Sequence, residues 1–547
     1  MPKNLSIDAL VKRFDTIKSN RITWDNHWQD CSDYALPQKA IVTKIRTPGT
    51  KLKTDIYDST AIQAVQVLAA GLHSYLTNPT SRWFALGMKN KKLLKNKKIK
   101  DWLKDSEDGI FDFLNQSNFN QQIHECYIDF SVFGTSALYS ESDIENGIVF
   151  HTRHMSEIYF LVNDKGKVDT VYRLFTFTAR QAYQKWGDNA GKTIMDKLEG
   201  KQIEEPILFL HVVLPREERN IRKKDAKNMP FASLYIEPKT KKVLSEGGYE
   251  EFPFAIPRFY KVSDSEYAYS PVSMCLADIK MLNQMSKTTI KTAQKDEDPP
   301  LVLPHDGYLL PFKTHAGAVN YKLQGKPDDK IEILNVNTKS NLSLEMQNQR
   351  RESIKRTFFA DLFLMLADNP KMTATEVIER VNEKMLILGP VLGRLMHELL
   401  DPIITRTFNI LMRDGKLPPP PDELLEQTSD YQIEYISPLA KAQRASEARS
   451  ITDLLLAIRE MYEIEPLVKD GINYDEVRSE LADIFNTSSK ILRSDDEIKV
   501  IREERAKQLE IQQALEQANL GGEAMTKVGE GVEALKGGKG EAAKATR

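Results

Sequence analysis

Residues 270–300 read SPVSMCLADIKMLNQMSKTTIKTAQKDEDPP, and the fold turns on how this stretch is read. Pro271 suits the first turn of a helix, because its missing N–H would find no partner there and its φ is already helical. No breaker follows until Asp298-Pro299-Pro300, so one helix should run from Pro271 to about Lys295. Along it Lys280, Gln284, Lys287, Lys291 and Lys295 recur at steps of four, three, four and four. That spacing puts them on one continuous face, polar and mostly cationic.

Toward the C-terminus, a section punctuated by proline and glycine from Leu301 to Leu334 reads as short strands, followed by helices over about Leu342–Leu366 and Thr373–Met412. The second helix opens on Thr373-Ala374-Thr375-Glu376, a capping box in which the hydroxyl and the carboxylate each satisfy a backbone N–H. Between the two helices lie Ala367, Asp368, Asn369, Pro370 and Lys371. Pro370 disfavours helical geometry at Asn369, so this segment should be a loop. Gly389-Pro390 and Asp401-Pro402 interrupt the second helix, which should bend at Gly389, Pro390 and Pro402. Pro418 to Pro421 makes a stiff linker, and helical periodicity returns from Ala440 to Ile491. A charged helix over Glu497–Leu520 and a weakly ordered tail from Gly521 to Arg547 complete the chain.

Toward the N-terminus, Leu10, Phe14, Ile17, Trp24, Trp28 and Cys31 fall on one stripe of a long helix beginning near Ser6. Asp58-Ser59-Thr60 offers cap chemistry for an alanine-rich helix to about Leu76. The lysines between Lys89 and Lys100 could make a phosphate-binding patch, but with little aromatic interleaving they read rather as a solvated entry to the amphipathic helix marked by Trp102, Leu103, Ile110, Phe111 and Leu114. From Gly147 to Phe259 the pattern becomes short apolar or alternating runs, including Ile158–Val162, Val171–Phe175 and Ile207–Val213. This section should be β-rich, with one helical insert near Ala179–Trp186. The expected class is therefore mixed α+β and predominantly helical.

Composition narrows function. The 547 residues carry 76 basic and 78 acidic side chains, a net charge of −2, so DNA contact would have to come from local patches. Cys31, Cys126 and Cys275 lack CxxC spacing and read as small buried thiols in a reducing, cytoplasmic setting. No run reaches the roughly 20 apolar residues of a spanning helix, and Met1-Pro2-Lys3-Asn4 has no signal core, so neither secretion nor membrane insertion is expected. Gly187–Thr193 is one residue short of a phosphate loop and follows a helix end instead of a strand. His151 and His154 lack an acidic partner at metalloprotease spacing. Neither catalysis, a metal nor a cofactor is expected.

Several blocks carry a resemblance. Asp58–Ala61 through Leu68–Leu72, Leu76–Pro79 with Arg82-Trp83-Phe84, Phe133–Leu138, Tyr269–Val272, Asp298–Val302, Met372–Val377 and Leu388–Val391 stand in the order seen in podovirus head-to-tail connector, or portal, proteins. The chain resembles that family over about residues 1–420. The resemblance implies a homo-oligomeric ring, usually of twelve subunits, at one capsid vertex of the virion. It would be assembled in the host cytoplasm against the capsid protein, dock the terminase motor and then tail adaptor proteins, and pass double-stranded DNA without sequence specificity.

Carried onto this sequence, the resemblance makes 1–269 a wing region, 270–295 a first stem helix, 296–340 a clip and 341–363 a second stem helix. Residues 364–372 become a channel loop, 373–439 a bent wing helix with its linker, 440–520 a crown or barrel and 521–547 a flexible tail. The cationic face of the first stem helix would then line the DNA channel, or else form a solvated outer face or a ladder of ion pairs between subunits. Rival readings are an internal scaffold or ejection protein, and a packaging ATPase built on Gly187–Thr193.

Overall fold

The computed structural model describes residues 6–45, 49–51, 55–90, 93, 96–143, 147–200, 202–220, 222–223, 225–298, 301–302, 311–312, 314, 320–321, 332–333, 340–363, 387–425, 431–435, 448, 450–459, 461, 472–484, 493 and 497–512. They form a mixed α+β, mainly helical chain in two units, the first made of residues 1–87, 103–419 and 430–443.

The N-terminal stripe folds as two helices, α1 (Ile7–Asn20) and α2 (Ile22–Ala35), where the periodicity suggests one. Ser6 caps the first as expected, its Oγ accepting from the Ala9 N–H. The break at Arg21 has a tertiary cause. Its guanidinium is buried, donating to the carbonyls of Met155 at 3.0 Å and Ser156 at 3.3 Å, and its Cζ lies 3.5 Å from the Tyr159 ring centroid. Turning there lets Leu10 and Phe14 pack on Tyr159, Tyr172, Leu210, Val212 and Ile236. Trp28 meanwhile enters a different core, with Nε1 donating to the Phe133 carbonyl at 2.9 Å. One straight helix could not reach both.

Next come α3 (Thr60–Leu76), strand β1 (Phe84–Met88), α4 (Lys97–Gln116) and α5 (Phe119–Phe133). Asp58 Oδ1 accepts the Thr60 N–H at 2.9 Å, which satisfies one of the donors left open at the start of α3. Leu103, Ile110, Phe111 and Leu114 of α4 are buried, as their spacing requires.

Strands β2 (Ala137–Asp143), β3 (Gly147–Arg153), β4 (Ile158–Val162), β5 (Val168–Thr178), β6 (Pro206–Pro215), β7 (Phe231–Glu237), β8 (Lys242–Tyr249) and β9 (Phe254–Ala255) make two antiparallel sheets. Their orders are β3-β2-β9 and β4-β5-β6-β7-β8. The second is a meander, with α1 on one face. On the other lie α6 (Ala179–Trp186) and α7 (Lys192–Glu199), whose Ala182, Trp186 and Ile194 pack with Phe175, Phe209 and Tyr235.

Helix α7 is a second insert where the sequence suggests one. It is short, has no side-chain cap and buries only Ile194, so its periodic signal is slight. Gly187 and Gly191 adopt positive φ between two helices, not between a strand and a helix, the opposite of what a phosphate loop requires.

Short strands β10 (Tyr260–Lys261) and β11 (Ala268–Tyr269) lead into α8 (Pro271–Glu297). Strands β12 (Leu301–Val302) and β13 (Glu332–Ile333) pair antiparallel, and α9 (Ser340–Thr357) follows. Helix α9 ends earlier than the sequence suggests. Phe359 adopts φ +56°, which ends the helical ladder before a short helical stretch at 360–363. Residues 364–372, and the capping box Thr373–Glu376, lie outside the described residues.

The chain is helical over 387–395, Gly389 and Pro390 included, widens to a π turn over Met396–Leu400, and continues as helix over Asp401–Arg413. Pro402 accounts for the π turn. It has no N–H, and its ring crowds the carbonyl four residues back, so the Asp401 N–H reaches instead to the Met396 carbonyl. Strand β14 (Tyr431–Tyr435) pairs with β1.

The second unit comprises residues 88–102, 420–429 and 444–547. It holds helical residues around 450–459, Tyr474–Ile484 and 497–512, with Arg502 bidentate on Asp475 at 2.7 and 2.8 Å. The tail 521–547 lies outside the described residues. Among the described residues no helix is long and apolar enough to cross a membrane.

Candidate functional site: the α8/α9 helix pair

Helix α8 starts on a capping box that the sequence reading passed over. Ser270 Oγ accepts the Ser273 N–H at 3.0 Å, Ser273 Oγ accepts the Ser270 N–H at 3.3 Å, and Pro271 sits at the first position. Val272, Cys275, Ile279, Leu282 and Ser286 face the core. Helix α9 runs antiparallel beside it: Thr289 meets Ser343 at 3.2 Å and Gln347 at 2.7 Å, while Asp278 pairs with Arg350 at 3.0 Å. Arg351 Nε donates to Asp58 Oδ2 at 3.0 Å and ties α9 to the entry of α3. Past α9, the Phe363 ring lies so close on Gly71 that a Cβ there would sit 2.5 Å from it. The segment leading to residue 364 is thereby held against α3.

The five polar residues of the sequence stripe occupy different surroundings. Lys280 Nζ bonds Asp30 of α2 at 2.8 Å and lies over the Tyr34 ring at 5.7 Å. Lys287 lies over the Tyr57 ring at 5.4 Å, beside Asn283, which holds Tyr57 N at 2.7 Å and the Asp55 carbonyl at 2.8 Å. Gln284, Lys291 and Lys295 are exposed. They belong to a longer open face made by Met274, Ala277, Met281, Gln284, Thr288, Lys291 and Lys295, spaced three and four apart. Met274 is 65% and Met281 44% exposed, so the face grades from apolar at its N-terminal end to cationic at its C-terminal end. The channel-loop residues Ala367, Asp368, Asn369, Pro370 and Lys371 lie outside the described residues.

Burial pushes the thiols of Cys31, Cys126 and Cys275 up to about 12, so they stay protonated at neutral pH. His154 Nε2 donates to the Lys39 carbonyl at 3.0 Å and Nδ1 accepts from Ser156 Oγ at 2.7 Å, a structural role. Among the described residues no group of three or more metal-capable side chains gathers.

Residues 8–492 match the model of the bacteriophage head to tail connecting protein family. The chain belongs to that family. It is 32% identical over 530 residues to the probable portal protein of Bordetella phage BPP-1, covering 95% of each chain. It is 30% identical over 518 residues to the portal protein of Salmonella phage epsilon15, covering 93% of this chain and 92% of that one. A chain from the virion of a native gene transfer agent particle aligns with a TM-score of 0.35 and 9% identity, covering 73% of this chain and 86% of that one. The function is that of a portal protein, a structural component of the virion capsid.

Proposed function

We propose that this chain is the repeating subunit of a twelve-membered ring at one capsid vertex, through whose axis duplex DNA is packaged and later ejected. The family match over residues 8–492 carries this reading. In it, 1–269 is the wing, α8 and α9 are the stem, 296–340 is the clip, 364–372 the channel loop, 373–439 the wing helix and linker, and 440–520 the crown. The terminase motor docks on the ring during packaging and tail adaptor proteins replace it afterwards, with assembly in the host cytoplasm. The exposed end of α8, Gln284, Lys291 and Lys295, supports a polar wall that offers DNA only scattered cations. Tight binding would hold a duplex that has to slide.

Negative-stain class averages of the purified chain test the proposal. An annulus of twelve subunits is expected. Particles without an annulus would favour an internal scaffold or ejection protein, and ATP binding by the purified chain would favour a packaging motor.

A further inference from the structure

The connection between β6 and β7, residues 216–230, is much longer than the roughly two to five residues a hairpin turn needs. It nevertheless has a built shape. Asn228 Oδ1 accepts the Asn220 N–H at 2.9 Å, Asn220 Oδ1 accepts the Arg222 N–H at 3.1 Å, and the Asn220 carbonyl accepts the Lys223 N–H at 3.0 Å. At the base Arg216 donates to the Ala226 carbonyl at 2.8 Å and to Glu246 at 2.9 Å.

The loop so held is cationic at its tip. Arg219, Arg222, Lys223 and Lys227 are all exposed. Glu217 and Glu218 stand before the tip, on the β6 side. Among the described residues of 219–227 the one carboxylate is Asp225, and it accepts from Asn228 Nδ2. In a chain of net charge −2 this is a local excess. Four like charges repel, and a slack loop would let them spread; the asparagine bonds instead tie the backbone at 220, 222, 223 and 228.

We propose that Arg219, Arg222, Lys223 and Lys227 form a docking surface for the phosphate backbone of duplex DNA, without base specificity and separate from α8. This rests on the portal reading, which brings duplex DNA to the protein. Among the described residues of 219–227 four exposed cations stand against one carboxylate. That charge complements a phosphate backbone, which is recognised through placed cations.

The test uses the full-length chain and a short random-sequence duplex, with anisotropy read across ionic strength. The variant Arg219→Gln/Arg222→Gln/Lys223→Gln/Lys227→Gln should lose about tenfold or more in low-salt affinity. Its plot of log K against log salt should be shallower by about 3 to 4, since each phosphate contact contributes about 0.9. Arg219→Lys/Arg222→Lys, which keeps the charge, should bind like the parent and guards against a folding defect. Equal affinity and slope in parent and glutamine variant would overturn the proposal. So would inorganic phosphate competing as well as duplex, or a variant that binds DNA normally but loses a capsid or tail protein. A parent that binds duplex through the tip without forming rings would count against the portal reading and not against this surface.

Discussion

Glu107 lies on α4 with its side chain 7% exposed and the Arg82 guanidinium 3.6 Å away. Burial is the largest influence on it and outweighs both Arg82 and a hydrogen bond from the Leu86 N–H, pushing the carboxyl from 4.5 up to about 7. The folded chain therefore prefers this group protonated. Below pH 4.5 it is protonated folded or unfolded and makes no difference. As pH rises toward 7 the unfolded chain releases the proton first, so stability is lost across that window and stays lost above it. Glu107→Gln should remove the penalty, gaining about 1–3 kcal/mol at pH 8 and almost nothing near pH 4. Thermal melts of variant and parent across this range are the check, and a difference that stays flat with pH would refute it.

The helix around Pro402 shows how an element answers to distant residues. Its π turn aims Glu398 at Arg258, a side chain 3% exposed. The Arg258 backbone N–H donates to Oε2 at 2.9 Å and its Nε lies 3.2 Å from both carboxylate oxygens. Glu398→Ala would strand a buried guanidinium, and denaturant titration should find a loss of about 3–5 kcal/mol. Glu398→Gln, which keeps an acceptor, should cost less. A loss below about 1 kcal/mol for alanine would leave the π turn as an accommodation of proline alone. In the sequence Pro402 was legible as a disturbance, but Arg258, the partner of Glu398, stands 140 residues before that glutamate. Helix α8 and strand β4 were legible nearly to the residue, since Pro271, Asp298 and an unbroken apolar run are local signals. The break at Arg21 was not, because the carbonyl it reaches belongs to Met155. The cations at 219–227 were not singled out in the sequence, where such a run ordinarily means a solvated face, and the asparagine bonds that tie their backbone are not a sequence signal.

At the scale of the proposed ring, the question is what the open face of α8 meets. Lys280 and Lys287 are engaged with α2 and with Tyr57 inside one subunit, whereas Lys291 and Lys295 are exposed at the C-terminal end. Reversing an exposed charge removes little folding stability, because surface ion pairs contribute only about 0–1 kcal/mol. It does change the field felt by a passing polyanion, most strongly within the Debye length of about 8 Å at physiological salt. Lys291→Glu/Lys295→Glu should therefore give rings of normal size and melting temperature that package or retain less DNA, measured as genome length per particle. Lys280→Glu, which loses its bond to Asp30, should shift the melting temperature slightly and leave packaging near the parent level. If the Lys291/Lys295 variant yields no annulus, these lysines sit in contacts between subunits, and the channel wall has to be sought on another face of the α8/α9 pair. Full-length genomes in normal rings would instead mean that this face points away from the DNA.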